Sequence, residues 1–250
     1  MQREEEFCLE PLTGDGLVIL QPRRGYRFSL DAVLLARFPE VGDGCKIIDL
    51  GTGSGVIPLL LSTRAKNLSI LGIELQPRLA ALAKRNVRLN HLQGIVTVLE
   101  RDINNLPREY NGKWDLVVAN PPYFKAGSGK PGGGERALAR HELACTLQDV
   151  IRCAARLLKP GGRFALVHRA ERLPEALGLL AEFKLSPRYL KMVHPRAGGK
   201  GELFLLEAVK GLTQTLAVLA PLIIYDNAGA YTPAMQRIYA GRSVREAEEI

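Results

Sequence analysis

The sequence predicts an α/β fold, a mostly parallel sheet of seven strands with helices on both faces. Three observations carry that prediction. Short apolar runs alternate with stretches of helical spacing from residue 46 to residue 208. One run, Cys45-Lys-Ile-Ile-Asp-Leu50, feeds a glycine-rich turn and then the apolar Val56-Ile-Pro-Leu-Leu-Leu61, which reads as strand, turn and helix. Polar residues stand at the ends of four successive runs, where open α/β sheets bind ligands.

Residues 1–42 read as an irregular N-terminal segment packing over the ligand site, and 43–250 as the main body of one structural domain. Thr13-Gly-Asp-Gly16 is a turn signal before Leu17-Val-Ile-Leu20. Leu30–Phe38 has helical spacing, with Ser29 and Asp31 available at its start. Strands are expected at 46–50, 69–74, 95–99, 114–119, 162–168, 187–194 and 202–208. Helices are expected after Ser54, Gln76 and Thr146, and near Glu171. Repeats, low-complexity tracts and long linkers are absent from the sequence.

The chemistry concentrates at the strand ends. Gly51, Gly53 and Gly55 permit positive φ and close approach of a ligand to the backbone. Their spacing is G-x-G-x-G, not the G-x-G-x-x-G of dinucleotide sites. Asp49, just before the turn, would attract a cation and repel a pyrophosphate. Glu74 ends the second strand, where an acid can take both hydroxyls of a ribose. Asp102, just past the third, can accept from an adenine amino group. The fourth strand runs into Asn120-Pro-Pro-Tyr123, and two prolines cannot continue a sheet ladder. The Asn120 side-chain carbonyl and the Pro121 peptide carbonyl are then two acceptors converging on one spot, suited to a planar NH2 group. Tyr123 adds a face on which a base or an amide could stack.

Asp49-Leu-Gly-Thr-Gly-Ser-Gly55, Glu74, Asp102 and Asn120-Pro-Pro-Tyr123 together resemble the S-adenosylmethionine-dependent methyltransferases of Rossmann-like fold, in the branch that methylates planar nitrogens. Flanking segments are similar to the bacterial tRNA(Val) adenine-N6-methyltransferase family: Gln21–Ala36, Ala139-Arg-His-Glu142, Val193-His-Pro-Arg196 and Tyr231–Tyr239. The resemblance covers about Leu17 to Tyr239. It implies a class I methyltransferase sheet whose seventh strand runs antiparallel, S-adenosylmethionine as cofactor, S-adenosylhomocysteine as product, and an adenine N6 amine in the anticodon-loop region of tRNA as acceptor. The implied catalytic residues are Asn120, Pro121, Pro122 and Tyr123. The implied cofactor-binding set is Asp31, Asp49, Gly51, Thr52, Gly53, Gly55, Glu74, Asp102, Ile103 and Asn120, with Asp31 over the methionine end. The alternative reading of Asp31 is a helix first-turn acid.

Composition fits a single domain. The chain has 250 residues, 46% hydrophobic, and a net charge of +8, which favours an anionic partner. No apolar run approaches the roughly 18 residues that would span a bilayer, and Met-Gln-Arg-Glu-Glu-Glu6 is too acidic for a signal peptide, so a cytoplasmic protein is expected. Cys8, Cys45, Cys145 and Cys153 lack metal-ligand or disulfide spacing, and no metal is expected. Two stretches are basic: 124–140, with Lys125, Lys130, Arg136 and Arg140, and 184–200, with Lys184, Arg188, Lys191, Arg196 and Lys200. Each reads as a solvated surface loop, or, beside a base-methylating centre, as a set of phosphate contacts. Lys125, Arg136, Arg140, Arg188, Lys191 and Arg196 are the candidate RNA contacts. His141 reads as a base or, more simply, a helix cap, and His168 and His194 as structural. Rival functions are a protein glutamine or rRNA guanine-N2 methyltransferase, a dinucleotide oxidoreductase, and a non-catalytic RNA-binding module. A glutamine methyltransferase is expected to carry a helical N-terminal domain, and about 42 residues before the first strand are too few for one.

Overall fold

In the computed structural model, which describes residues 7–23, 27–121 and 145–246, the chain opens with an antiparallel hairpin, β1 (Phe7–Leu12) and β2 (Leu17–Pro22). Helix α1 (Leu30–Arg37) follows, then β3 (Lys46–Leu50), α2 (Val56–Ser62), β4 (Ser69–Glu74), α3 (Pro77–Leu89), β5 (Val96–Glu100) and β6 (Trp114–Ala119). After residue 144 come α4 (Leu147–Leu157), β7 (Leu158–Arg169), α5 (Leu173–Glu182), β8 (Leu185–Arg196), β9 (Leu203–Lys210), β10 (Ala217–Tyr225) and α6 (Pro233–Tyr239).

The main sheet has the order β10-β8-β9-β7-β6-β3-β4-β5. All its strands run parallel except β9, which is antiparallel to both β7 and β8. That is the antiparallel seventh strand of the expected fold. Alternate residues of each central strand feed opposite cores. Ile47, Ile70, Leu116, Val118 and Val167 pack with α1, α2 and α3 on one face. Ile48, Ile73, Val117, Ala119 and Leu166 pack with α4 and α5 on the other. Burial of both faces is why these strands read as unbroken apolar runs.

Three expectations are corrected. The sheet has eight strands, not seven; the added β10 pairs parallel with β8 at the edge. Its outer half is exposed and it contains Pro221 at a register shift, both features of an edge strand that weaken a strand pattern. Residues 1–42 are not irregular throughout, since they hold the hairpin and α1. Residues 184–200 are not a loop: β8 fills most of that span, as the strand expected at 187–194 requires.

Candidate functional site

The strand ends converge on one edge of the sheet. Register pairs Leu50 with both Ile73 and Ala119, and Glu74 with Glu100. Asn120, the glycine turn, Glu74 and Asp102 therefore follow the C-terminal ends of four neighbouring strands, β6, β3, β4 and β5. At about 4.8 Å per strand they span roughly 14 Å.

The turn is built by its glycines. Gly51, Gly53 and Gly55 have φ of +79°, +58° and +89°, the left-handed region that side chains avoid. The Gly51 and Thr52 N–H groups both donate to the Ile73 carbonyl at 2.9 Å. The Gly53 N–H donates to Glu74 Oε2 and the Gln76 N–H to Glu74 Oε1, each at 2.8 Å. Glu74 thus fastens the turn to the start of α3. Each carboxylate oxygen keeps acceptor capacity for a hydroxyl.

Beneath the turn three buried polar side chains lack hydrogen-bond partners among the described residues: both oxygens of Asp49, Thr52 Oγ1 and Ser54 Oγ. Asp49 is completely buried. Burial pushes its carboxyl up to about 7, and the charge of Glu74 adds to the rise. Thr52 opposes it, although neither Asp49 oxygen has a donor in hydrogen-bonding geometry. An uncompensated buried carboxyl is costly. Beside a ligand-permissive turn it fits an amino or other cationic group, and a pyrophosphate would meet repulsion there.

Asp102 caps a short 3-10 turn, accepting from the Asn104 N–H at 2.8 Å and Asn105 Nδ2 at 3.3 Å. Ile103 is buried, and its carbonyl accepts from the Cys153 thiol of α4 at 3.4 Å. Asn120 is partly exposed directly after β6, and Pro121 is buried beside it. Asp31 sits in the first turn of α1.

Sequence reasoning missed two positions. A Cβ on Gly72 would lie 2.9 Å from Thr52, so β4 needs a glycine where it passes under the turn; a lone glycine inside a strand is the signal for such close approach. The Asn86 amide on α3 donates to the Ser54 carbonyl at 2.9 Å, tethering the turn from behind. Only long-range packing makes that visible.

The basic candidates separate. Lys191 is buried within β8, between Leu205 of β9 and Leu219 of β10, and does not face solvent as a phosphate contact must. Arg188 lies 3.7 Å from the buried Glu207 and stacks over Tyr189, so its charge is turned inward. Arg196 is exposed at the end of β8. His194 Nδ1 is 2.9 Å from the Gly199 carbonyl. His168 is buried against Phe204 and its Nδ1 accepts the Arg169 N–H at 2.8 Å. Burial, reinforced by the charge of Arg172, pushes His168 down to about 4 and leaves it neutral near pH 7. The four cysteines form no disulfide, and no cluster of metal-ligating side chains occurs among the described residues. Pro122, Tyr123, Lys125, Arg136, Arg140 and His141 lie outside the described residues.

The methyltransferase small domain family matches residues 30–186. The chain is 30% identical to the tRNA1(Val) (adenine(37)-N6)-methyltransferase of Aeromonas salmonicida, over 84% of this chain and 87% of that one. Its fold is similar to the crystal structure of a predicted O-methyltransferase from Agrobacterium tumefaciens, with a TM-score of 0.69 and 24% identity, covering 86% of this chain and 97% of that one. A geranyl diphosphate methyltransferase solved in complex with SAM superposes with a TM-score of 0.52 and 16% identity, covering 72% and 84% of the two chains.

Proposed function

Because this chain belongs to the methyltransferase small domain family and is an S-adenosylmethionine-dependent methyltransferase, we propose that it methylates the exocyclic N6 amine of an adenine in tRNA, in the anticodon-loop region. The observation that carries the proposal is the placement of Asn120 and Pro121 at the end of β6, one strand from the glycine turn and the buried Asp49. The 30% identity to a tRNA adenine-N6-methyltransferase over most of both chains supports the choice of acceptor.

S-adenosylmethionine supplies an electrophilic methyl carbon on a sulfonium. The chain's own residues bind and orient. Asp49 would hold a cationic group, Glu74 the ribose hydroxyls, and Asp102 the adenine amino group. The glycines of the turn let the backbone approach closely. At the acceptor, the Asn120 side-chain carbonyl and the Pro121 carbonyl take the two N–H groups of the planar amine. Those two bonds favour a more tetrahedral nitrogen and free its lone pair, which aromatic delocalisation otherwise occupies. Holding that nitrogen close and in line is the main contribution asked of the protein. No strong general base need touch it, because the proton can leave to water after transfer. Tyr123 would stack on a base presented from an unpaired loop.

The test is incubation with tritiated S-adenosylmethionine and tRNA lacking modifications, followed by identification of the labelled nucleoside. N6-methyladenosine is expected. Label on guanine N2 or on a protein glutamine, with none on tRNA adenine, overturns the proposal. Asn120→Ala is expected to keep cofactor binding and lose most of the methylation rate; near-normal turnover would remove Asn120 from its role.

A further inference from the structure

The sheet edge that carries Asn120 continues past β7 and β9 to β8 and β10. The parallel strands end on that same edge, so Arg196 of β8 and Tyr225 of β10, paired in register, stand there too. At about 4.8 Å per strand, β8 and β10 are displaced roughly 14 and 19 Å from β6. By register Arg196 and Tyr225 stand six residues, roughly 20 Å, beyond the level of Ala119, so they lie roughly 24 and 28 Å from the end of β6. Tyr225 begins a stack of three tyrosines. Its ring is 5.4 Å from that of Tyr231, at 11° between planes, and Tyr231 is 5.2 Å from Tyr239, at 23°. Ring faces in contact are about 3.5–4 Å apart, so these centroid distances require a sideways offset of about 4 Å. The rings form a staircase in which Tyr231, the middle ring, remains 37% exposed while Tyr225 and Tyr239 are partly buried against the core.

The staircase is held firmly from behind. Tyr225 and Tyr231 form an antiparallel bridge. Asp226 accepts from the Ala228 and Ala230 N–H groups, both at 2.9 Å, which closes the turn between them. Thr232 caps α6, accepting from the Met235 N–H and donating to the Ile223 carbonyl at 2.7 Å. Two exposed cations, Arg196 and Lys200, stand at the end of β8 and in the turn that follows it. The Arg196 Nη2 lies 4.0 Å from where a Cβ on Gly229, in the turn between Tyr225 and Tyr231, would stand. Residues 196–202 set these two cations against one acid, Glu202. Preordered aromatic faces beside guanidinium and ammonium groups are the chemistry that binds unpaired nucleotides: bases stack on the rings and phosphates meet the cations.

Resting on the tRNA reading above, we propose that the Tyr225–Tyr231–Tyr239 staircase, with Arg196 and Lys200, is a second contact for the same RNA, gripping unpaired bases of the loop that presents the acceptor adenine. A stacked strand advances about 3.4 Å per nucleotide. Some 28 Å is then roughly eight nucleotides, the scale of a hairpin loop. The contact orients the loop from a distance and takes no part in the transfer itself.

The experiment measures tRNA affinity by filter binding across several salt concentrations, with cofactor affinity and thermal unfolding recorded on the same preparations. Tyr231→Leu, which keeps apolar bulk but breaks the staircase, is expected to weaken tRNA binding roughly 5- to 150-fold, the effect of removing one base–aromatic stack. Cofactor affinity should not change. Tyr231→Phe keeps the ring and should bind tRNA within about twofold of wild type. Arg196→Gln with Lys200→Gln should make the salt dependence shallower by roughly 0.7–0.9 log units for each phosphate no longer neutralised. This pair lies on the surface and carries the test if Tyr231→Leu fails to fold. Wild type that binds and methylates tRNA, with folded variants that match its affinity and salt slope, overturns this inference alone. Wild type that neither binds nor methylates tRNA overturns the acceptor reading as well.

Discussion

Asp49 shows how one residue can trade stability for binding. A carboxyl raised to about 7 by burial stays protonated in the folded chain while the unfolded chain releases its proton near 4. Below about pH 4 both states hold the proton and no penalty exists. As pH rises from 4 to 7 the unfolded state gains relative stability, by on the order of 4 kcal/mol across that window, and above 7 the difference is constant. Asp49→Asn removes this penalty, so the cofactor-free variant should melt higher than wild type, by more at pH 8 than at pH 5. The same ionisation serves binding, since only the carboxylate attracts a cation. Cofactor affinity of wild type should rise between pH 6 and pH 8, and the asparagine variant should bind weakly with a flat profile. Calorimetry at the two pH values checks this; parallel profiles would show that Asp49 does not meet the cationic group. Glu74 has a double task, since its oxygens already hold the Gly53 and Gln76 N–H groups. Glu74→Ala should weaken cofactor binding by roughly 1–3 kcal/mol, and an unchanged dissociation constant would exclude it from the ribose site.

At the scale of elements, the hairpin is joined to the body by side chains acting as a strand. Asn86 and Asn90 lie four residues apart, Asn86 within α3 and Asn90 at its C-terminal cap. The Asn86 amide accepts from the Leu20 N–H at 2.8 Å and donates to the Leu20 carbonyl at 3.0 Å. Asn90 does the same for Val18, both at 2.8 Å. The open edge of β2 is satisfied as a neighbouring strand would satisfy it. Asn86 is fully buried and also holds the Ser54 carbonyl, so one residue couples hairpin, helix and glycine turn. Asn86→Ala should cost about 2–4 kcal/mol, three buried bonds at roughly 1 kcal/mol each, and should weaken cofactor binding because the turn loses its tether. Asn90→Ala, away from the turn, should lower stability and leave cofactor affinity unchanged. Thermal unfolding with calorimetry separates the two. Equal cofactor affinities in both variants would show that the turn does not depend on Asn86. Element boundaries set by local chemistry were legible in sequence: Thr146 and Asp149 form a capping box at the start of α4, as the helix expected after Thr146 requires.

Across the whole molecule, the C-terminal segment is clasped to the sheet by charge. Glu207 of β9 is completely buried and faces three guanidinium groups: Arg245 at 2.7 Å, Arg163 at 3.5 Å and Arg188 at 3.7 Å. Arg245 also lies over the rings of Tyr189 and Phe38, and the Val244 N–H donates to the Arg37 carbonyl at 3.0 Å. The clasp thereby connects strands, α1 and the C-terminal segment. Glu207→Gln leaves three cations without their counter-charge. It should cost about 3 kcal/mol, the low end for a buried pair losing one partner, because the arginines retain some solvent contact. A denaturant titration checks this: the midpoint should fall with an unchanged slope, while folded variant keeps its cofactor affinity. An unmoved midpoint would mean that packing alone holds the C-terminal segment.

What could be read in the amino-acid order was what near neighbours encode. The alternation of apolar period and turn residues specified the parallel sheet and its helices, because each element's pattern depends on residues a few positions apart. The strand-end placement of the glycine turn, Asp49, Glu74, Asp102 and Asn120 was legible because a strand end is a local event, and successive parallel strands bring such ends to one edge. Tertiary structure alone decided which way the basic residues face. Lys191 and Arg188 read as solvated charges in a run without acids, yet pairing with β9 and β10 buries one and turns the other toward Glu207. It also made β10 a strand despite Pro221, since an edge position leaves one side of the ladder unpaired and tolerates the missing N–H. Burial and charge pairing depend on residues far apart in the chain, and only the assembled sheet, with both faces covered, brings them together.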